Sequence, residues 1–396
     1  MTLTETDSDH LRRALELAEG GRGRVSPNPL VGAVIVRDGE VIGEGFHAEL
    51  GGLHAERAAL ADCRERGGDP AGATMYVSLE PCAHEGRQPP CVEAVIEAGI
   101  ARVVIASDDP SEKAAGRGPG ILRDGGVEIE FAAGEQATTA RLLNQPFRKH
   151  ARTGLPLVAL KLAMSLDGRT STAPGDSPWI SGEQSRELVH RWRAEHDAIA
   201  VGIGTALADD PLLTARPDSA PTYSRMAGIS RGSVRQPVRI VFDRQARLPL
   251  DSRLLATLDQ SPVLAVVGPE ADRGRVGALE GAGAEILAAA DIETALRELG
   301  RREITSLFLE GGRTLADAFI AADQLDESRA FIAPVLLGSA DSDRRAGGAG
   351  EGRGEDDPAR SALPPPATGP ARHTALASSI EQVGEDVLVI ARYKEW

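Results

Sequence analysis

Along residues 10–19, HLRRALELAE, the apolar positions Leu11, Ala14, Leu15 and Ala18 recur at helical spacing, and the glycine-rich stretch 20–23 ends that helix. Two short apolar runs follow, LVGAVIV (30–36) and EVIGEGF (40–46), and the Asp38-Gly39 step between them predicts a hairpin turn. The pattern then alternates: helix 54–66, strand 74–79, helix 91–98, strand 102–107. Beyond a linker near 149–156 a second series begins, with strands at 157–164, 198–203, 238–243, 263–268, 306–311 and 386–393. Helices at 183–194, 273–281, 291–300 and 314–322 alternate with them. Such alternation predicts a layered α/β sheet in each half. Two domains, 1–150 and 151–396, then account for the 396 residues. Residues 340–371 break both patterns: glycines crowd 347–354 and Pro364-Pro365-Pro366 follows, so composition predicts a mobile surface insertion.

Charge narrows the function classes. Lys+Arg total 44 against 59 Asp+Glu, a net charge of −15, which argues against a general nucleic-acid binder. Aromatic residues are only 3%, so the core must rest on Val, Leu, Ile and Ala. No apolar run reaches the length of a membrane span, and the first residues, MTLTETDSDH, have no signal-peptide character. The three cysteines, Cys63, Cys82 and Cys91, are too few for a disulfide framework and suit a reducing, cytoplasmic compartment.

The chemistry concentrates in His54-Ala55-Glu56, Pro81-Cys82 and Pro90-Cys91. An imidazole with two thiolates is a zinc set that leaves one coordination position open. Glu56, two residues from His54, is the candidate base that takes a proton from the attacking water and returns it to a leaving nitrogen. Pro81 and Pro90 suit the first turns of helices, so each ligand is expected where a helix begins. Zinc deaminases carry H-x-E with P-C-x-x-C. Here eight residues, AHEGRQPP, separate the cysteines, so Cys91 must open a new helix after a loop. A purely structural zinc would require a fourth protein ligand. Cys63 is the available thiol, but its mid-helix position suits the core.

With those residues the chain resembles the bifunctional riboflavin-biosynthesis deaminase–reductase family over almost its whole length. The first half carries SPNPLVGAVIV (26–36), GFHAELGGLHAE (45–56), LEPCAHEGRQPPC (79–91) and AGRG (115–118). The second carries LKLAMSLDGRT (160–170), SPWIS (177–181), LADDPLLTAR (207–216), LEGGRTLA (309–316) and IAPVLLG (332–338). The resemblance implies a cytidine-deaminase-like three-layer α/β/α domain followed by a dihydrofolate-reductase-like α/β domain. The first, with Zn2+, would remove the 2-amino group of a diamino-ribosylaminopyrimidinone 5'-phosphate. The second, with NADPH, would reduce the ribosyl chain of that product to ribityl. In the deaminase, Asn28 and His47 match positions beside the pyrimidine, and His84 and Arg87 lie where a ribose phosphate is expected. In the reductase, Ser177, Arg193, Arg216, Glu310 and the backbone at Leu213 match substrate contacts. Ser165, Trp179, Thr205 and Asp209 match the nicotinamide end, with Asp209 also a candidate proton donor or orienter. Gly312, Arg313 and Thr314, at a strand end before a helix, offer backbone N–H groups to a pyrophosphate. Lys161, a cation inside an apolar strand, is expected to point into the reductase site.

Three departures stand out. Ser111-Glu112 replaces the family's Asn-Pro after Asp109-Pro110, which exchanges an amide for a hydroxyl and puts base recognition at that point in doubt. Arg244 replaces a serine near the cofactor, where it suits either a 2′-phosphate or plain solvent. Gln88 replaces a threonine with little expected effect. A reductase with an inactive deaminase half, a nucleic-acid deaminase and a non-catalytic zinc protein remain as competing readings. The sequence leaves open whether the chain forms a homo-oligomer.

Overall fold

The computed structural model describes residues 3–86, 88–112, 114, 116–170, 179–216, 235–338 and 373–396. Arg87, Ser177 and the 340–371 stretch lie outside the described residues.

The first half builds a five-stranded sheet from β1 (Gly32–Arg37), β2 (Glu40–Phe46), β3 (Thr74–Val77), β4 (Arg102–Ile105) and β5 (Glu128–Phe131), in the order β2-β1-β3-β4-β5. β1 and β2 form the expected antiparallel hairpin, and Asp38 (φ 53°) and Gly39 (φ 83°) take the left-handed conformations of its tight turn. Strands β3, β4 and β5 run parallel. Alternate residues of β1 serve two cores. Ala33 and Ile35 pack with α2 (Ala55–Glu65), α3 (Cys91–Glu97) and α4 (Arg117–Asp124). Val34 and Val36 pack with α1 (Glu5–Ala18) and α5 (Glu135–Leu143) on the other face, completing three layers. Helix α2 lies directly on the backbone of β2. A Cβ at Gly45 would stand 2.3 Å from the Ala59 nitrogen, and one at Gly43 would stand 2.5 Å from the Ala59 oxygen. These two glycines let the first turn of α2 approach the end of the sheet.

Residues 149–153 belong to a helix rather than to a linker: α6 spans Gln145–Thr153. Its Lys149 is buried and pairs with Asp326 of the second half at 2.6 Å, so the two halves are joined by a packed element.

The second half builds nine strands: β6 (Leu157–Ser165), β7 (Ala198–Gly202), β8 (Val238–Phe242), β9 (Val263–Val267), β10 (Glu285–Ala288), β11 (Ser306–Leu309), β12 (Glu327–Ala333), β13 (Ala377–Val383) and β14 (Asp386–Arg392). Their order is β10-β9-β8-β7-β11-β6-β12-β14-β13, parallel from β10 through β12 and antiparallel at β14 and β13. Strand β11 returns to lie between β6 and β7, which are consecutive in sequence. That reversal opens a crevice beyond the carboxyl ends of the three strands, where open α/β sheets bind ligands. Helices α7 (Glu183–Glu195), α8 (Ile203–Asp209), α9 (Arg273–Gly281), α10 (Ile292–Arg301) and α11 (Arg313–Ala321) lie between strands along the chain. Two buried cores result, one around Trp192, Phe308 and Phe331 and one around Leu296, Leu307 and Phe319. Among the described residues no helix is long and apolar enough to cross a membrane.

Candidate active sites

His54 is the N-cap of α2 and Cys91 is the first residue of α3, each where a helix begins. Cys82 departs from that expectation. It sits in irregular chain after β3, and Pro90 is the N-cap of α3 rather than a first-turn residue. Cys82 borrows a helix start instead: the Cys91 backbone N–H donates to its Sγ at 3.3 Å. His54 Nδ1 lies 3.5 Å from Cys82 Sγ and 3.4 Å from Cys91 Sγ, and the three donor atoms lie within 4.8 Å of one another. Tetrahedral zinc with its usual bond lengths separates nitrogen from sulfur by about 3.6 Å, so the donor set fits that ion. Cys63 is buried within α2 and packs in the core, outside the cluster.

The electrostatics suit a bound cation. Donation from Cys91, then from His54 and the Cys91 backbone, outweighs burial and brings the Cys82 thiol down to about 4. Cys91, beside that anion and buried, is pushed up. Glu56 is buried, and burial followed by the Cys82 charge pushes its carboxyl up to about 7. Its first turn is secured by Arg57, whose guanidinium donates to the Pro90 carbonyl at 2.9 Å.

Around this centre the structure gathers several of the expected residues. His47 is buried, its Nδ1 donates to the Leu53 carbonyl at 2.9 Å, and its ring meets that of His54 edge-on with centroids 5.2 Å apart. Burial holds His47 below the usual histidine range despite the Leu53 carbonyl. A neutral ring that donates from Nδ1 must accept at Nε2, and Asn28 Nδ2 lies there at 3.1 Å. His84 is partly buried with its Nδ1 unpartnered, and it shares the field of Asp109. Burial raises the Asp109 carboxyl although the Ser111 backbone N–H donates to it at 2.8 Å. Gln88 donates to the Gly51 carbonyl at 3.1 Å and ties the cysteine loop to the segment before His54. Two residues missed by the sequence reading are Arg57 and Glu80. Glu80, adjoining Pro81-Cys82, is buried with its Oε1 unpartnered, and burial raises its carboxyl.

The second constellation lies in the crevice. Parallel pairing of β6 with β11 sets Leu160 opposite Leu309, which puts Lys161 and Glu310 side by side where β11 ends. Arg193 of α7 grips Glu310 with two parallel bonds, Nε to Oε1 at 2.5 Å and Nη2 to Oε2 at 2.7 Å. Burial lowers Lys161 in spite of Glu310, while Arg193 and Lys161 overcome burial to hold Glu310 below the usual carboxylate range. Arg193 also donates to the Thr214 carbonyl at 3.2 Å. Leu213 has φ 53° and is buried. Arg216 is exposed. His190, missed by the sequence reading, shares the field of Arg193 and Arg216 with its Nδ1 buried and unpartnered.

Thr205 and Gly312 meet through a 3.2 Å bond from the Gly312 N–H to the Thr205 hydroxyl, because β7 and β11 are neighbours. Gly312 is the N-cap of α11 and Arg313 and Thr314 are exposed, so the start of that helix is open to an anion. A Cβ at Gly311 would stand 3.2 Å from Leu315, and its absence leaves a shallow cradle there. Ser165 is buried and its hydroxyl is committed to Asp167 at 2.5 Å. Asp209 is exposed at the end of α8, Trp179 is exposed under the Arg186 guanidinium, and Arg244 is exposed in the turn after β8.

Residues 4–107 match the family model described as cytidine and deoxycytidylate deaminase zinc-binding region, and residues 156–353 match that of the RibD C-terminal domain. The riboflavin biosynthesis protein RibD of Actinobacillus pleuropneumoniae is 40% identical over 354 residues, covering 88% of this chain and 89% of that protein. The solved structure of Acinetobacter baumannii RibD is 36% identical, has a TM-score of 0.78 and covers 99% of both chains. A Thermotoga maritima structure titled a diaminohydroxyphosphoribosylaminopyrimidine deaminase/5-amino-6-(5-phosphoribosylamino)uracil reductase is 32% identical with a TM-score of 0.77, covering 98% of this chain and 99% of that one. With a zinc-type ligand set in one half and a charged crevice in the other, the chain belongs to the RibD family of riboflavin biosynthesis proteins, bifunctional enzymes joining a zinc-dependent deaminase to an NADPH-dependent reductase.

Proposed function

We propose that residues 1–150 hydrolyse the 2-amino group from a diamino-ribosylaminopyrimidinone 5'-phosphate and that residues 151–396 reduce the ribosyl chain of the product to ribityl. The observation that carries this reading is the pairing, in one chain, of His54, Cys82, Cys91 and buried Glu56 with the Lys161–Glu310–Arg193 set. Zinc held by His54, Cys82 and Cys91 supplies Lewis acidity toward the attacking water. Glu56, buried beside the ligand set, accepts a proton and returns it to the departing nitrogen. Asn28 and His47 orient the pyrimidine, while His84 and Arg87 meet its ribose phosphate. Ser111 supports the turn at Asp109 through its backbone N–H.

In the second site NADPH supplies the hydride. Gly312, Arg313 and Thr314 bind the pyrophosphate of the cofactor, and Ser165, Trp179, Thr205 and Asp209 line its nicotinamide end, with Asp209 orienting the reacting sugar carbon. Lys161, Ser177, Arg193, Arg216, Glu310 and the Leu213 backbone hold the phosphosugar. Glu310 holds Arg193 in a bidentate grip beside Lys161 and so aims it at the anionic substrate. The −15 net charge supports small phosphorylated substrates over nucleic acid, and the unpaired cysteines support a cytoplasmic enzyme. The test offers the diamino substrate with NADPH and follows ammonia and NADPH absorbance together. Both should change. A chelator should abolish ammonia release while the already deaminated substrate still consumes NADPH. Consumption of NADPH only with deaminated substrate, before any chelator, would leave a reductase with an inactive first half.

A further inference from the structure

We propose that the reductase half positions the substrate wall of the deaminase through two interdomain ties, Ser26 to Asp197 and Arg148 to Trp396, which makes Arg148 a positioning residue for deamination. The inference rests on the placement of the pyrimidine beside Asn28 and His47 proposed above, and adds the 107–111 turn as a second wall of that site. The metal donors need no such help. They hang on α2, α3 and the chain after β3, all within the first half, and are braced there by Arg57.

The walls beside them differ. Ser26 donates to Asp197 Oδ2 at 2.8 Å and lies 3.1 Å from the Thr305 hydroxyl, both in the second half. Asp197 is itself immobile, since it is buried and accepts the Thr305 and Ser306 backbone N–H groups at 2.8 and 3.1 Å. Two residues beyond Ser26, Asn28 reaches His47. The second wall depends on Arg148 of α6, which is 1% exposed. Its Nη1 donates to the Asp108 carbonyl at 2.9 Å and to the Ser107 hydroxyl at 3.2 Å, at the root of the turn that carries Asp109 and Ser111. Its Nε donates to the Trp396 carbonyl at 2.7 Å, after the last strand of the second half. Trp396 is clamped in turn: its backbone N–H donates to Gln145 at 2.9 Å and its indole N–H to Asp326 at 2.9 Å. A buried guanidinium has a rigid fork and no water to replace a lost partner. The position of residue 108 in the deaminase is thus set by a backbone carbonyl of the reductase half.

Binding and metal retention should therefore separate. In the full chain, Ser26→Ala, Arg148→Gln, Arg148→Lys and Asn28→Ala are compared for deaminase KM and kcat, bound zinc, and reductase kcat/KM on the deaminated substrate. Ser26→Ala and Arg148→Gln are expected to raise deaminase KM about tenfold, equivalent to about 1.4 kcal/mol, with zinc content and reductase activity retained. Arg148→Lys should recover part of the loss. Unchanged KM in both tie variants overturns the proposal, as does a KM rise matched by equal losses of zinc and reductase activity in Ser26→Ala. Ser26→Ala also decides the matter if Arg148→Gln fails to fold. If Asn28→Ala raises KM while the tie variants do not, the ties alone fail. If Asn28→Ala changes nothing, the placement of the pyrimidine falls and the inference with it.

Discussion

The two sites are assembled in opposite ways. The deaminase donors come from a short stretch, His54 to Cys91, and two of them stand at helix starts. The reductase set draws Lys161, Arg193 and Glu310 from β6, α7 and the end of β11, distant in sequence and joined by sheet pairing and the Arg193–Glu310 ion pair. The first is a cluster of thiols and carboxyl that cannot all carry charge without a cation. The second already pairs its carboxylate with Arg193, beside Lys161. One site is completed by an ion, the other by pairing within the fold. The two should therefore fail differently.

The largest effect is expected from Glu56→Gln. Loss of the proton carrier should lower ammonia release by about 10²–10⁴-fold, with hydride consumption on the deaminated substrate unchanged. A parallel fall in both activities would mean that the sites are not chemically separate. Next comes Arg193→Met, which strands Glu310 without its bidentate partner in a largely buried position. Breaking a buried pair in this way costs about 3–5 kcal/mol. The denaturation midpoint of the second half should drop and reductase kcat/KM collapse, while deamination at a temperature below the transition is kept. Cys91→Ser should reduce bound zinc, measured by metal analysis, and abolish deamination without touching the reductase midpoint.

A smaller contrast is expected on acidification. His196 of the second half is buried, and burial followed by the Arg329 charge pushes it down to about 3. The unfolded chain takes up that proton below about 6.5 while the fold refuses it. Stability of the second half is then complete above that value and declines as the pH falls toward the folded value. Asp7 of the first half behaves otherwise. Burial alone would raise it, but bonds from Arg102, Thr4 and Tyr76 hold it well below the usual carboxylate range. Its contribution is whole above about 3.9 and is lost only as the pH falls through its lower folded value. Between pH 7 and 5 the reductase half should lose about 1–2 kcal/mol on account of His196, read as a shift of its urea midpoint. His196→Gln should flatten that shift.

How much of this was legible in the sequence follows the same division. The Asp38-Gly39 turn, the helices from residues 55, 91 and 273 and the buried central strands were readable because each carries its own local signal. β5 and β10 were not, being four-residue edge strands with exposed ends. β13 was hidden for a stronger reason: nearly every residue in it is exposed, and its neighbour β14 supplies the pairing. β12, with Glu327 and Arg329 in its run, also lacks an apolar pattern. Helix α6 looked like a linker because its buried faces are polar, with Gln145, Arg148 and Lys149 facing the other half instead of a hydrophobic core.

By itself the sequence determined two α/β halves, the His54, Cys82 and Cys91 donor set and the neighbouring Glu56, because short-range spacing and ligand chemistry are written locally. Tertiary structure alone decided that Lys161 meets Glu310, that Thr205 meets Gly312, and that Arg148 bridges Asp108 to Trp396. Those contacts depend on which strand lies beside which and on where buried polar groups find partners. Neither is carried by any period in the chain, since long-range pairing is settled only when the sheets close and every buried donor must be satisfied.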